Sequence, residues 1–124
     1  MADDDRTDPL TETLARLARR WAVHPDTARR LLRASGARPW GGRRRWRWED
    51  VWRAEGMAHV HPMDRTAMRG RLLDAAECAA RDPLARSPRS WRRYLAEGRL
   101  PTVTLAPGLR RVRERDLADW AERI

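Results

Sequence analysis

The sequence has no lysine and no phenylalanine, one tyrosine and one cysteine. A lone Cys78 excludes an intrachain disulfide. It lies in an Ala-rich helical stretch and reads as a small buried side chain. Without phenylalanine the core must be filled by leucine and by the seven tryptophans. No run of about 18 apolar residues is present, which excludes a membrane-spanning helix. No secretory signal is recognisable either, so a cytoplasmic protein is expected. Chemistry-bearing patterns are missing too. There is no nucleophile–base pair, no Gly-rich phosphate loop and no paired-carboxylate motif, so no enzymatic activity and no cofactor is expected. His59 and His61, taken with Cys78, fit no recognised ligand spacing, and no metal is expected.

What the chain has in excess is positive charge. It carries 27 basic residues, all arginine, against 18 acidic ones, for a net charge of +9. A GC-rich genome favours Arg over Lys without selection for function, so the choice of base says little. The excess of bases over acids is not explained that way. It favours polyanionic partners, because neutralising phosphates releases their condensed counterions. Arginine adds a planar fork that pairs phosphates and guanine edges bidentately.

Residues 1–10 are acidic and polar and read as a disordered tail. From Thr11 the pattern turns helical, with Leu14, Leu17, Ala18 and Trp21 on one stripe and Arg16, Arg19 and Arg20 off it. The period breaks at His24-Pro25, and Pro25 and Asp26 suit the first turn of a new helix. That helix runs to about Ala34 and stops at Ser35-Gly36. It buries Ala28, Leu31 and Leu32, and its other face carries Asp26, Thr27, Arg29, Arg30 and Arg33. Residues 37–40 and 43–47 flank Gly41-Gly42, a two-residue hairpin signal, and Trp46 should face the core. A third helix begins near Trp48-Glu49-Asp50.

The same order returns about 62 residues later. Leu72, Leu73, Ala76, Cys78, Ala79 and Ala80 suggest a helix. Ser87 is an N-cap in front of Pro88, and Ser90-Trp91-Arg92-Arg93-Tyr94-Leu95 aligns with Thr27-Ala28-Arg29-Arg30-Leu31-Leu32. Gly98 aligns with Gly36 and Pro101 with Pro39. Residues 102–105 and 110–113 flank Ala106-Pro107-Gly108 as a second hairpin, before a last helix with Leu117, Trp120 and Ile124. The offset between copies is 61 at the first helix, 63 at the second (Pro25, Pro88), 62 at Pro39 and Pro101, and 66 after the hairpin (Arg45, Arg111). The second copy therefore has two extra residues in its helical turn, near Asp82-Pro83, and a hairpin longer by a net four. Insertions confined to turns are what a structural repeat produces. The expected organisation is a tail (1–10), a first unit (11–56), a linker or short connecting helix (57–70) and a second unit (71–124). The fold class is mainly α with small β-hairpin wings.

SPRSWRRYLAEGRLP (residues 87–101) and RRVRERDLADW (residues 110–120) carry a family likeness. The first resembles a Ser-capped recognition helix ending in Gly before a strand. The second resembles an Arg-rich strand leading into a helix with Asp-Leu and a terminal Trp. On these stretches residues 72–124 resemble excisionase-family proteins and the DNA-binding domain of MerR-like regulators, and residues 13–52 look like a divergent copy. Two departures stand out: the turn at residues 81–86 is longer than the family's, and the first copy has His24 where the family has its Ser cap. A MerR regulator continues into a long dimerising helix, so effector sensing by that route is not expected here.

The resemblance implies two tandem winged helix-turn-helix units. It implies a double-stranded DNA partner, with the second helix of each unit in the major groove. Base-edge candidates are Thr27, Arg29, Arg30 and Arg33 in the first unit, and Arg89, Ser90, Arg92 and Arg93 in the second. Wing candidates for phosphates or the minor groove are Arg43, Arg44 and Arg45, with Arg110 and Arg111. The helix starts at Thr13 and near Asp74 are further candidates for phosphate contact. The role implied is that of an excisionase-like recombination directionality factor or small transcription regulator, working beside a recombinase or the transcription machinery. Two alternatives stay open. One unit could instead be a protein-interaction module recruiting an integrase, polymerase or packaging motor, and exposed Trp could bind single strands. Trp21, Trp46, Trp91 and Trp120 fall on apolar stripes; Trp40 and Trp48 do not, and one of them could touch DNA or the other unit.

Overall fold

The computed structural model describes residues 10–42, 44–57 and 59–123. The tail at residues 1–9, together with Arg43, Ala58 and Ile124, lies outside the described residues. The chain is mainly helical with two small antiparallel sheets. It divides into two compact units, Met1–Met68 and Arg69–Ile124.

The first unit contains strand β1 (Thr11–Thr13), helix α1 (Leu14–Trp21), helix α2 (Pro25–Ala34), strand β2 (Arg45–Arg47) and helix α3 (Trp48–Ala54). Thr13 caps α1, its hydroxyl accepting from the Arg16 N–H at 3.4 Å. The place of the absent Ser cap on α2 is taken by His24, whose Nδ1 accepts from the Asp26 N–H at 3.1 Å. Leu17, Trp21, Ala28, Leu32 and Val51 are wholly buried, with Trp46, Trp48 and Trp52 nearly so.

The first hairpin is not built as expected. Residues 37–39 form no strand, and Trp40–Gly42 is a 3-10 turn with Gly41 at φ 60°. β2 pairs instead with β1, in the register Thr11 to Arg47, Glu12 to Trp46 and Thr13 to Arg45. Thr11 and Glu12 are therefore strand rather than helix. The described residues of the 57–70 stretch, expected as a linker or short connecting helix, carry one-turn 3-10 helices at Pro62–Asp64 and Ala67–Arg69. Val60 and Met68 are buried, and the Trp52 indole N–H donates to the Met68 carbonyl at 3.1 Å. His61 caps the first of these turns, its Nδ1 accepting from the Met63 N–H at 3.1 Å. The two His-Pro pairs of the sequence, at 24–25 and 61–62, thus do the same local work.

The second unit contains β3 (Leu72–Leu73), α4 (Ala75–Ala80), α5 (Pro88–Glu97), β4 (Val103–Ala106), β5 (Leu109–Arg113) and α6 (Glu114–Arg123). Leu72 and Leu73, expected as helix, form a short strand, because Asp74 closes a capping box with Glu77 and starts α4 only at Ala75. Ser87 caps α5, accepting from the Ser90 N–H at 3.1 Å. Gly98 ends it in the left-handed region at φ 67°. The hairpin β4–β5 turns at Pro107-Gly108, with a bulge between Thr104 and Ala106, and β3 adds to it in the order β3-β5-β4. The core gathers Leu73, Cys78, Trp91, Tyr94, Leu95, Leu100, Val112 and Leu117, with Trp120 packed against it. Trp120 meets Trp91 edge to face at 4.9 Å between ring centroids.

With β4 of the second unit set aside, both units follow the order strand, helix, helix, strand, helix, and the sequence offsets reappear as strand register. Thr11 pairs with Arg47, and the residue 61 after the first pairs with the residue 66 after the second, Leu72 with Arg113. Glu12–Trp46 and Leu73–Val112 match in the same way. The cores, however, place their indoles differently. Trp21 aligns with Asp82, and Ala28 aligns with Trp91. The large side chain sits at the end of the first helix in one unit and on the second helix in the other, so the pair of positions keeps one indole and one small residue in each.

Each unit also buries a carboxylate beneath its indole. In the first, Glu55 accepts from Arg20 Nε at 2.7 Å, Arg20 Nη2 at 2.8 Å and Trp21 Nε1 at 2.6 Å. In the second, Asp82 accepts from Arg86 Nε at 2.7 Å, Arg86 Nη2 at 3.1 Å and Trp91 Nε1 at 2.9 Å. Asp82 also takes the Leu84 and Arg86 N–H groups, at 2.9 and 3.3 Å. That carboxylate is what shapes the longer turn of the second unit.

Candidate nucleic-acid interface

In each unit the second helix and the strand before the last helix enclose a groove. The first, of about 330 Å³, is walled by Arg29 and Arg33 from α2, by Arg44 and Trp46 at β2, and by Ala37 and Pro39. Arg29 and Arg33 stand one turn apart on the same helix face. The second groove, of about 360 Å³, has Arg92 and Leu95 from α5, Gly108, Arg110 and Arg111 from the hairpin, and Asp74 at the start of α4. Arg92 aligns with Arg29 and Arg110 with Arg44, so the two grooves share two arginines at matching positions, one on the second helix and one at or just before the strand that precedes the last helix.

Eight of the 18 carboxylates are paired with arginines that do not line the grooves. Glu12 pairs with Arg16, Glu49 with Arg47, Asp50 with Arg53, Glu55 with Arg20, Glu77 with Arg71 and Asp82 with Arg86. Glu97 pairs with Arg93 and Arg99, and Glu114 with Arg81. Among the described residues, no ion pair reaches Arg29, Arg33, Arg44, Arg89, Arg92 or Arg110. Arg19, Arg30, Arg38 and Arg123, exposed on other parts of the surface, likewise make no ion pair among the described residues. Among the described residues the first groove contains no carboxylate, whereas the second contains Asp74, whose oxygen already accepts from the Glu77 N–H at 2.8 Å.

The remaining expected contact residues divide by what they already touch. Arg45 is half-buried and tied to the neighbouring strand, with Nε donating to the Thr11 hydroxyl at 2.7 Å and Nη2 to the Thr11 carbonyl at 3.1 Å. Arg111, its counterpart, is buried, and its Nη1 donates to the Arg110 carbonyl at 2.7 Å. Burial lowers the Arg111 pKa from its ordinary value against the pull of Asp74 and Glu77. Arg44, just before β2, and Trp46 both line the first groove, and Arg45 between them turns to β1, where it braces the sheet. Arg110 and Arg111 both line the second groove, but Arg111 is buried. Thr27 accepts weakly from Arg30 at 3.4 Å, Ser90 is engaged in the α5 cap, and Arg93 lies over Tyr94 at 5.7 Å from the ring centroid. Arg30 and Arg89 are exposed. Arg43 lies outside the described residues.

The two tryptophans that lie off the apolar stripes differ in their surroundings. Trp40 is exposed, with the Arg47 guanidinium 4.8 Å from its ring centroid. Trp48, by contrast, is buried under the Arg20 guanidinium at 5.1 Å. Among the described residues no group of three His, Cys, Asp or Glu side chains is placed to hold a metal ion, and no helix is long and apolar enough to cross a membrane. Comparison with protein-family models, with curated proteins and with solved structures finds no match to this chain.

Proposed function

We propose that the two units are tandem winged helix-turn-helix modules and that the chain is a non-enzymatic, sequence-specific binder of duplex DNA. In this reading α2 and α5 enter the major groove, and Arg44 and Arg110 reach phosphates beside it. The work is that of an excisionase-like directionality factor or a small transcription regulator. The observation that carries the reading is the repeated placement of arginines around one groove in each unit. Arg29 and Arg44 in the first and Arg92 and Arg110 in the second hold matching positions, and none of the four makes an ion pair among the described residues. A guanidinium without an internal partner keeps its fork available for a phosphate or for guanine O6 and N7, and each bidentate base contact contributes about 1–3 kcal/mol of discrimination.

Titration of a labelled duplex selected for binding tests this. Arg29→Ala and Arg92→Ala should each weaken binding by about 1–3 kcal/mol and relax specificity at one position of the site. Arg16→Ala and Arg53→Ala, which remove arginines paired on other faces, should change affinity little. Equal losses from all four substitutions, or an absence of duplex binding, would overturn the proposal.

A further inference from the structure

We infer that Trp40 is a base-stacking contact, through which the first unit prefers duplex DNA containing an unstacked base. The inference rests on the DNA-binding reading above but concerns a residue outside the base-edge and phosphate contacts of that reading. Of the seven tryptophans, Trp21, Trp46, Trp48, Trp52 and Trp91 are buried and Trp120 is half-buried; Trp40 is 53% exposed. Its position is specific. It opens the turn Trp40–Gly42, directly after the groove residue Pro39 and four residues before the groove residue Arg44.

The indole is also held. Arg47 lies over it at 4.8 Å, and Arg47 Nη2 is fixed in turn by Glu49 at 2.9 Å. A guanidinium–indole stack is an attraction in its own right. Its consequence here is that the ring is already oriented, so less side-chain entropy is lost when a planar ligand covers it. The surroundings select the ligand. Arg29, Arg33 and Arg44 lie in the adjoining groove, and among the described residues no carboxylate lines it. A flat π-surface at the edge of a cationic groove suits a nucleobase attached to its phosphate backbone. The second unit provides an internal comparison, because its hairpin turns at Pro107-Gly108 and carries no aromatic residue there.

Stacking is insensitive to base identity but requires a free base face. A fully paired duplex offers none without unstacking, whereas a bulged base does. The test uses the full chain and one oligonucleotide sequence prepared as paired duplex, as duplex with a single bulged base, and as single strand. The wild type should bind the bulged duplex about 5- to 100-fold more tightly than the paired one, the range of one stacked base. Trp40→Ala should abolish that preference while leaving paired-duplex affinity nearly unchanged, and Trp40→Phe should keep most of it. Acrylamide, which reaches the exposed indole first, should quench less fluorescence in the bulged complex. An unchanged preference in Trp40→Ala overturns the inference. So does an indole equally quenched in the complex, which would leave the ring to a protein partner. Tighter binding to the single strand than to either duplex overturns the duplex assignment. If Arg29→Ala with Arg33→Ala weakens binding to every duplex and Trp40→Ala does not alter the preference, the DNA reading stands and only the stacking inference falls.

Discussion

Replacing Asp82 by Asn should destabilise the second unit while leaving its shape almost unchanged, and the loss should fade in acid. The side chain is buried and accepts from the Arg86 guanidinium twice, from the Leu84 and Arg86 N–H groups and from the Trp91 indole. An amide can accept on its oxygen, but its NH₂ would face donors, and the Arg86 charge would lose its partner. Breaking a buried ion pair costs about 3–5 kcal/mol. The Arg86 side chain is 25% exposed and can recover some hydration, which places the effect near the lower end, about 3 kcal/mol. A unit of this length holds about 3–8 kcal/mol in total, so the loss is a large share. Amide hydrogen exchange reports it unit by unit. Protection of the α5 amides of Trp91 and Leu95 should fall roughly 150-fold at pH 7, while α1 and α2 stay unchanged. Arg86, chiefly, holds the Asp82 carboxyl well below the usual carboxylate range, with the Leu84 N–H and the Trp91 indole assisting against burial. A carboxyl depressed in the folded state stabilises fully above its unfolded value, near pH 4, and loses that contribution as pH falls toward the folded value. The gap between wild type and Asp82→Asn should therefore narrow below about pH 4. A protection loss under tenfold, or a gap undiminished at pH 2, would refute the reasoning.

Two further outcomes follow from buried groups. Glu55→Gln should cost the first unit about 3–5 kcal/mol, since the Arg20 side chain is only 4% exposed and cannot rehydrate in place. Arg20→Met combined with Glu55→Leu should recover part of this in urea melts, the shortfall being the Trp21 indole N–H left without an acceptor; a double variant as unstable as the single contradicts the assignment. Cys78 is fully buried, and burial, reinforced by Asp74 and Glu77, pushes its thiol up to about 12. The native chain should resist thiol reagents at pH 8 and react once unfolded; rapid labelling of the native chain would show the site to be open.

Much of this architecture is legible locally. Ser87, Pro88 and Gly98 announce α5, and Pro107-Gly108 announces the second hairpin, because caps and tight turns depend on residues adjacent in the chain. Strands β1 and β3 are not announced. They are only three and two residues long, and their partners lie more than thirty residues away, so no period develops. The missing first arm of the first hairpin is the other side of this: the Gly41-Gly42 signal marks a turn, but β2 finds its pair in β1. The candidate site divides likewise. The free arginines of α2 and α5 follow from the helical stripe. That Arg45 turns to the neighbouring strand and that Arg111 is buried depend on strand pairing, which the run of arginines conceals. The Arg20–Glu55 pair joins residues far apart in the chain, and neither residue type predicts burial. The exchange of Trp21 and Ala28 for Asp82 and Trp91 is visible in the alignment of the copies, but it acquires meaning only when both indoles are seen to cover a carboxylate.

The salt dependence of duplex binding tests the central claim most directly. Each phosphate contact contributes about 0.9 to the slope of log affinity against log salt. Removing Arg44 should reduce the slope by about 0.9, so that the loss of affinity between 50 and 200 mM salt becomes about 3.5-fold smaller. Removing Arg44 and Arg110 together should reduce it by about 1.8. Removing the paired Arg16 and Arg53 should leave it unchanged. Slopes that fall in proportion to the groove arginines removed, and in no other variants, are the predicted result; slopes that do not move, or that fall equally with Arg16 and Arg53, would contradict the account.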